Sequence, residues 1–169
     1  MLTGVGGKLG CYLSRLAQTE DLETILWSRK LPAVGWARQA VLFDLQDFDR
    51  IQSELNQARP DVIVHSAALS AVSDCYQNPK LAKTINADVP AILALWCERQ
   101  GKRLVQVSTD LVFDGTTAPY TEEHTPNPLN VYGQSKLQGE RAAQTCQNSL
   151  VVRLPLMVGP ALGRSKSHY

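Results

Sequence analysis

No run of apolar residues in this chain approaches the roughly 18 residues of a membrane span. The N-terminus also lacks the basic, apolar and small-residue layout of a signal peptide. Cysteine is sparse: Cys11, Cys75, Cys97 and Cys146 are scattered, with no C-x-x-C pair. That spacing argues against a zinc site or a disulfide framework and for reduced thiols, so the expected compartment is the cytoplasm. No H-x-x-x-H pair or acidic cluster suggests a metal site. Of the histidines, His65 reads as a strand-end packing residue, and His124 and His168 read as loop residues. Neither sign of charge dominates, with 17 Lys and Arg against 16 Asp and Glu. No nucleic-acid or anionic-membrane partner is implied. Repeats and low-complexity segments are absent.

What remains is an ordinary globular composition, 44% apolar and 20% charged, over 169 residues. That length suits one domain with a sizeable core. Strand-like apolar segments fall at Thr24–Trp27, Ala40–Phe43, Val62–His65, Leu104–Val107 and Leu150–Leu154. Helical patterns fall between them, at Lys8–Gln18, Phe48–Ala58, Pro79–Gln100 and Val131–Thr145. The runs Asp61–His65 and Arg103–Val107 resemble buried parallel strands rather than alternating surface ones. Strands alternating with long helices predict an open α/β fold, a doubly wound parallel sheet. Such sheets bind ligands at the carboxyl ends of their strands. Both ends read as incomplete. Met1-Leu2 is short for a central strand, and the segment from Gly159 to Tyr169 reads as loop.

The chain opens with Thr3-Gly4-Val5-Gly6-Gly7-Lys8-Leu9-Gly10, a G-x-x-G-x-x-G spacing through Gly4, Gly7 and Gly10. Glycines allow a tight turn and a close backbone approach to a pyrophosphate. The helix that follows offers free N–H groups and a positive dipole end. After the second strand, Trp27-Ser28-Arg29-Lys30 supplies a hydroxyl and two cations where an NAD site usually places an acid. NADP(H) is therefore favoured over NAD(H). Asp44 and Leu45 follow the third strand, where contact with an adenine edge competes with a helix N-cap role for Asp44. Ser66, Ala67 and Ala68 follow the fourth strand and are small enough to admit a dinucleotide. Asn86 stands among apolar residues of the long helical region. It reads either as a hydrogen-bonding residue on the site floor or as a surface amide.

Ser108-Thr109-Asp110 ends the fifth strand, after Val107, and Tyr132-Gly133-Gln134-Ser135-Lys136 lies in the last helix. Residues four apart share a helix face. An ammonium beside a phenol favours the phenolate, so Lys136 is expected to lower the pKa of Tyr132. Tyr132 is then a proton donor or acceptor, and Thr109 is the hydroxyl best placed to hydrogen-bond a substrate carbonyl.

In these stretches the chain resembles the extended short-chain dehydrogenase/reductase family, and within it the dTDP-4-dehydrorhamnose reductase-like, sugar nucleotide-binding group. Thr3–Gly10, Pro60–Val72, Ser108–Gly115, Pro128–Glu140 and Val152-Arg153-Leu154-Pro155 carry the likeness. The resemblance implies one Rossmann-like dinucleotide-binding domain over residues 1–169. Tyr132 would be the catalytic acid, Lys136 the lysine that holds the nicotinamide ribose, and Thr109 the residue that orients the keto group. Thr109 and Asp110 would face substrate. Gly4, Gly6, Gly7, Lys8, Leu9, Gly10, Ser28, Arg29, Asp44, Leu45, Ser66, Ala67, Ala68, Asn86, Val107, Tyr132 and Lys136 would line the cofactor. The implied reaction is NADPH-dependent reduction of a nucleotide-linked 4-keto-6-deoxysugar, the implied partner a nucleotide sugar, and the implied assembly a homodimer. Two departures point elsewhere. Leu111 stands where such reductases carry Tyr, and Leu154-Pro155-Leu156 replaces a polar and aromatic sequence. There the chain looks more like the beta regulatory subunit of methionine adenosyltransferase, which implies an NADP-binding interaction subunit without turnover. The family's C-terminal substrate-binding segment has no counterpart within these residues.

Overall fold

A computed structural model describes residues 1–30, 35 and 39–159. His168 and most of the segment expected as loop after Gly159 lie outside the described residues. Six parallel strands form one sheet in the order β3-β2-β1-β4-β5-β6. They are β1 (Leu2–Thr3), β2 (Leu26–Ser28), β3 (Val41–Leu42), β4 (Val62–His65), β5 (Arg103–Thr109) and β6 (Ser149–Leu154). The order reverses direction between β1 and β4, and there a doubly wound sheet opens a crevice at its carboxyl edge.

The helices are α1 (Lys8–Thr19), α2 (Phe48–Ala58), α3 (Val72–Gln77), α4 (Pro79–Lys83), α5 (Val89–Gln100) and α6 (Val131–Ala143). A π-helical turn, Thr84–Asp88, joins α4 to α5. The expected single helix over Pro79–Gln100 is thus continuous but changes winding in its middle. Pro79 at the start of α4 fits there because the first N–H groups of a helix need no internal partner, whereas Pro90 sits just after the π-helical turn inside the continuous helix and removes one donor from its ladder.

Each face of the sheet buries its own apolar cluster. Trp27, Ile63 and Leu104 meet Ile51 and Leu55 of α2 and Val89 and Leu93 of α5 on one side. Leu2, Val5, Leu26 and Cys11 pack on the side of α1. Strand β1 is short, yet its ladder continues through its neighbours. The Met1 ammonium donates to the Val62 carbonyl at 2.8 Å, and the Val64 N–H donates to the Met1 carbonyl at 2.9 Å. All four cysteines are buried and unpaired, and burial pushes the Cys97 thiol up to about 12. Among the described residues no helix is long and apolar enough to cross a membrane, and no group of three His, Cys, Asp or Glu could hold a metal ion.

Candidate active site

The glycine turn is shaped by contacts that a side chain would block. Gly4 has φ +73, and a Cβ there would lie 2.6 Å from the Ala67 nitrogen. A Cβ on Gly10 would lie 2.2 Å from the Gly4 carbonyl oxygen, so α1 can start this close to β1 only with glycine at that position. The loops after β1 and β4 therefore touch across the switch point. Thr3 fastens them: Ser66 Oγ donates to the Thr3 carbonyl at 2.7 Å, and the Ala67 N–H donates to Thr3 Oγ1 at 3.2 Å. Gly7 caps α1 with no side-chain cap bond and no acid in the first turn. That leaves the positive end of a 12-residue helix open to an anion. Backbone approach, small residues and an uncapped helix start together fit a dinucleotide pyrophosphate.

Ser28 lies under the glycine turn, where a Cβ on Gly6 would meet its Oγ at 3.2 Å. Ser28 is buried and donates to the Lys30 carbonyl, while Arg29 is exposed beside it. Lys8 reaches across to the Met157 carbonyl at 3.1 Å. Asp44 does not cap α2. Its Oδ1 accepts from the Gln46 N–H at 2.9 Å, and the cap is Asp47, whose side chain accepts from the Arg50 N–H. Asp44 closes a local turn three residues before the cap, too early to reach the first free N–H groups. Leu45 packs partly into the main core.

The catalytic candidates converge at the ends of β5 and α6. Thr109 is buried, and its hydroxyl accepts from the Leu111 N–H and faces the Tyr132 phenol. Asn130 caps α6 by accepting from the Gly133 N–H at 2.8 Å, which sets Tyr132 in the first turn. The expected effect of Lys136 on Tyr132 is not what the geometry produces. Burial pushes the Tyr132 phenol up, and the Thr109 hydrogen bond only partly offsets this. The Lys136 ammonium is aimed elsewhere: it donates to the Val107 carbonyl at 2.7 Å, and burial pulls it down to about 8, against an upward pull from Glu140. Asp110 is exposed beside Thr109, which donates to its Oδ1 at 3.1 Å.

Asn86 is buried in the π-helical turn with its amide fully used. It accepts from the Leu69 N–H and donates to the Leu69 carbonyl and to Ser135 Oγ, all within 3.0 Å. It is not a surface amide, and both of its N–H protons are taken within the protein. It ties the loop after β4 to the helix of Tyr132 and Lys136.

Three features were not anticipated from the sequence. Glu140 is buried and accepts from Ser108 Oγ and from both Nε and Nη2 of Arg153, joining α6, β5 and β6. Arg153 in turn lies over Phe113, which stacks on Tyr120. A groove of about 540 Å³ opens between Val72, Ser73 and Tyr76 of α3 and Leu129, Asn130, Val131 and Gln134 at the start of α6. The i, i+4 spacing of Lys136 and Glu140 was a signal for the ion cluster. Nothing in the sequence marked Val72–Gln77 as a helix.

Residues 1–164 match the family described as RmlD substrate binding domain. The chain is 34% identical to methionine adenosyltransferase 2 subunit beta of Danio rerio, over 94% of this chain and 48% of that protein. It is 35% identical to the probable low-salt glycan biosynthesis reductase Agl14 of Haloferax volcanii, over 94% of this chain and 53% of that protein. The crystal structure of dTDP-4-dehydrorhamnose reductase from Bacillus anthracis in complex with NADP superposes with a TM-score of 0.79 at 30% identity, covering 91% of this chain and 52% of that one. The chain thus spans about half the length of the relatives it matches. With its 3-2-1-4-5-6 parallel sheet and Tyr132 and Lys136 on one helix, it belongs to the RmlD-like group of extended short-chain dehydrogenases/reductases.

Proposed function

We propose that this chain is the cofactor-binding part of an NADPH-dependent reductase acting on a nucleotide-linked 4-keto-6-deoxysugar. The observation that carries the reading is the convergence of Thr109, Tyr132 and Lys136 at the carboxyl end of β5, beside the switch-point crevice. The glycine turn from Gly4 to Gly10 holds the pyrophosphate. Asp44, Leu45, Ser66, Ala67 and Ala68 line the adenosine side, and Ser28 and Arg29 receive the 2′-phosphate. When bound, the nicotinamide supplies the hydride.

The protein's share is positioning and proton transfer. The Thr109 hydroxyl holds the keto oxygen, and Tyr132 donates its phenolic proton to that oxygen. A phenol with a raised pKa stays protonated at neutral pH and is ready to donate. Lys136, held on the Val107 carbonyl, would hold the nicotinamide ribose.

A second reading is a cofactor-binding regulatory subunit without turnover. The 34% identity to a methionine adenosyltransferase beta subunit favours it, as do Leu111 and Leu154-Pro155-Leu156 in place of the reductases' residues. Titration with NADPH and NADH, followed by NADPH oxidation with a dTDP-4-keto-6-deoxysugar using the full-length protein, separates the two. Tight NADPH binding with turnover supports the reductase. Tight binding without turnover supports the subunit, and failure to bind either nucleotide overturns both.

A further inference from the structure

Three side chains cross the sheet in one row on the side of α5 and α6. Thr3 of β1 pairs in register with His65 of β4, and His65 pairs with Gln106 of β5. Register partners on adjacent parallel strands point to the same face. All three have no exposed surface. A polar row in this position is unusual, because the equivalent places in such a sheet are normally aliphatic.

Thr3 Oγ1 accepts from the Ala67 N–H and lies 2.8 Å from His65 Nδ1; the row proposed below has Thr3 donate its proton to that nitrogen. His65 Nδ1 is then an acceptor, and the neutral ring carries its proton on Nε2. Burial, with Lys136 nearby, holds the His65 pKa down at about 3 and keeps the ring neutral. At the other end, Gln106 Nε2 donates to the Val107 carbonyl at 3.0 Å, the same oxygen that accepts from Lys136 Nζ at 2.7 Å. Among the described residues three buried side-chain atoms have no protein partner: Trp27 Nε1, beside Thr3 on β2, and the two at the centre of the row, His65 Nε2, a donor in this tautomer, and Gln106 Oε1, an acceptor. The latter two are complementary, fully buried and on neighbouring register positions.

We propose that His65 and Gln106 are positioning residues for Lys136, linked to each other through these two groups. The result is one buried hydrogen-bonded row from the glycine turn to the lysine: Thr3, His65, Gln106, the Val107 carbonyl, Lys136. Both atoms are buried and unbonded within the protein, so one shared internal water would satisfy donor and acceptor together. The row gives the glycine turn and Lys136 a common mechanical reference, since Thr3 also holds the Ser66-Ala67 loop. It rests on the reading of Lys136 as the lysine that holds the nicotinamide ribose. The titratable and charged groups around Lys136 are Glu140 and Tyr132 one turn away on α6 and His65 from β4.

The test uses the whole chain, without cofactor first. Histidine side-chain nitrogen NMR should show His65 as the Nε2–H tautomer, with a proton protected from exchange. Gln106→Met keeps the volume but removes both amide groups. It should expose the Nε2–H signal to exchange and move the Lys136 titration, read by lysine side-chain NMR, upward from about 8, because the Val107 carbonyl then serves the ammonium alone. NADPH affinity should fall about fivefold, the worth of one hydrogen bond near 1 kcal/mol. His65→Phe is the second variant and should shift Lys136 as well. An unchanged Lys136 titration in folded Gln106→Met, or an Nδ1–H tautomer in the parent, overturns the row. If the parent binds no nicotinamide nucleotide, the cofactor reading fails while the NMR result still decides the row.

Discussion

Gly139→Ala sets two opposing effects against each other. In an unconstrained helix interior the change stabilises by about 1 kcal/mol, because alanine loses less backbone freedom than glycine. Here a Cβ would lie 2.1 Å from the Asn86 carbonyl oxygen and 3.2 Å from its carbon. An ordinary carbon contact needs about 3.5 Å, so α6 and the π-helical turn would have to part by about an ångström. Both obstacles are backbone, and no rotamer change relieves them. Overpacking of this kind costs about 1–3 kcal/mol, and the rigid contact argues for the upper end. The net expectation is a loss of about 2 kcal/mol. With a urea slope near 2 kcal/mol per molar, the unfolding midpoint should fall by about 1 M at unchanged slope. The shift would also stretch the Asn86–Ser135 bond of 3.0 Å and displace Lys136, so NADPH affinity should fall with stability. Gln138→Ala, its exposed neighbour, should stay within about 0.5 kcal/mol. An unfolding midpoint for Gly139→Ala at or above the parent's would refute the close approach.

Asn86→Ala removes three hydrogen bonds and strands the Leu69 N–H, and should cost about 2–4 kcal/mol by chemical denaturation. Lys136 binds its proton less tightly in the fold, at about 8, than at its ordinary 10.5. Between those values the unfolded chain holds more protons, so this group makes stability rise with pH across the window. The burial cost is fully present below about pH 8. Each factor of ten in proton affinity is worth about 1.4 kcal/mol, giving a rise of about 3 kcal/mol in total. Subtracting the profile of Lys136→Met isolates that rise and cancels the opposite drift from Cys97, whose thiol is held up at about 12. Under the reductase reading, Tyr132→Phe should abolish turnover by the full-length protein while NADPH affinity stays within about twofold; undiminished turnover would remove Tyr132 from the chemistry. Arg29→Ala should weaken NADPH at least tenfold with little change for NADH, and equal losses for both would defeat the 2′-phosphate role.

The sheet was legible because buried parallel strands are written as continuous apolar runs. Val62–His65 and Phe48–Ala58 match the observed β4 and α2 end for end. Strand β5 runs two residues past the apolar run, through Ser108 and Thr109, because β6 pairs with it to that point. The glycine turn and the Tyr132–Lys136 spacing are local signals, and both lie at the carboxyl edge of the sheet where the candidate site is described. What stayed hidden depends on contacts across long separations. The six-residue α3 has too few turns to show a period. The aim of Lys136 at the Val107 carbonyl, rather than at the phenol, follows from how α6 lies on β5. Spacing along the helix cannot report that.

The π-helical turn also bears on how this chain could change in length. An α-helix advances 100° per residue, and a π-helical turn carries one more residue than an α turn. Thr84–Asp88 therefore holds one residue more than a plain turn would. Asn86 points to the loop after β4 while Val89 and Leu93 still point to the core. Deleting one residue there would do more than shorten a connection. It would let the turn close as plain α-helix with α5 near its present phase, and would remove the extra residue that carries the Asn86 amide out to Leu69 and Ser135. Length at this point in the chain sets what Asn86 can reach, not which way α5 faces.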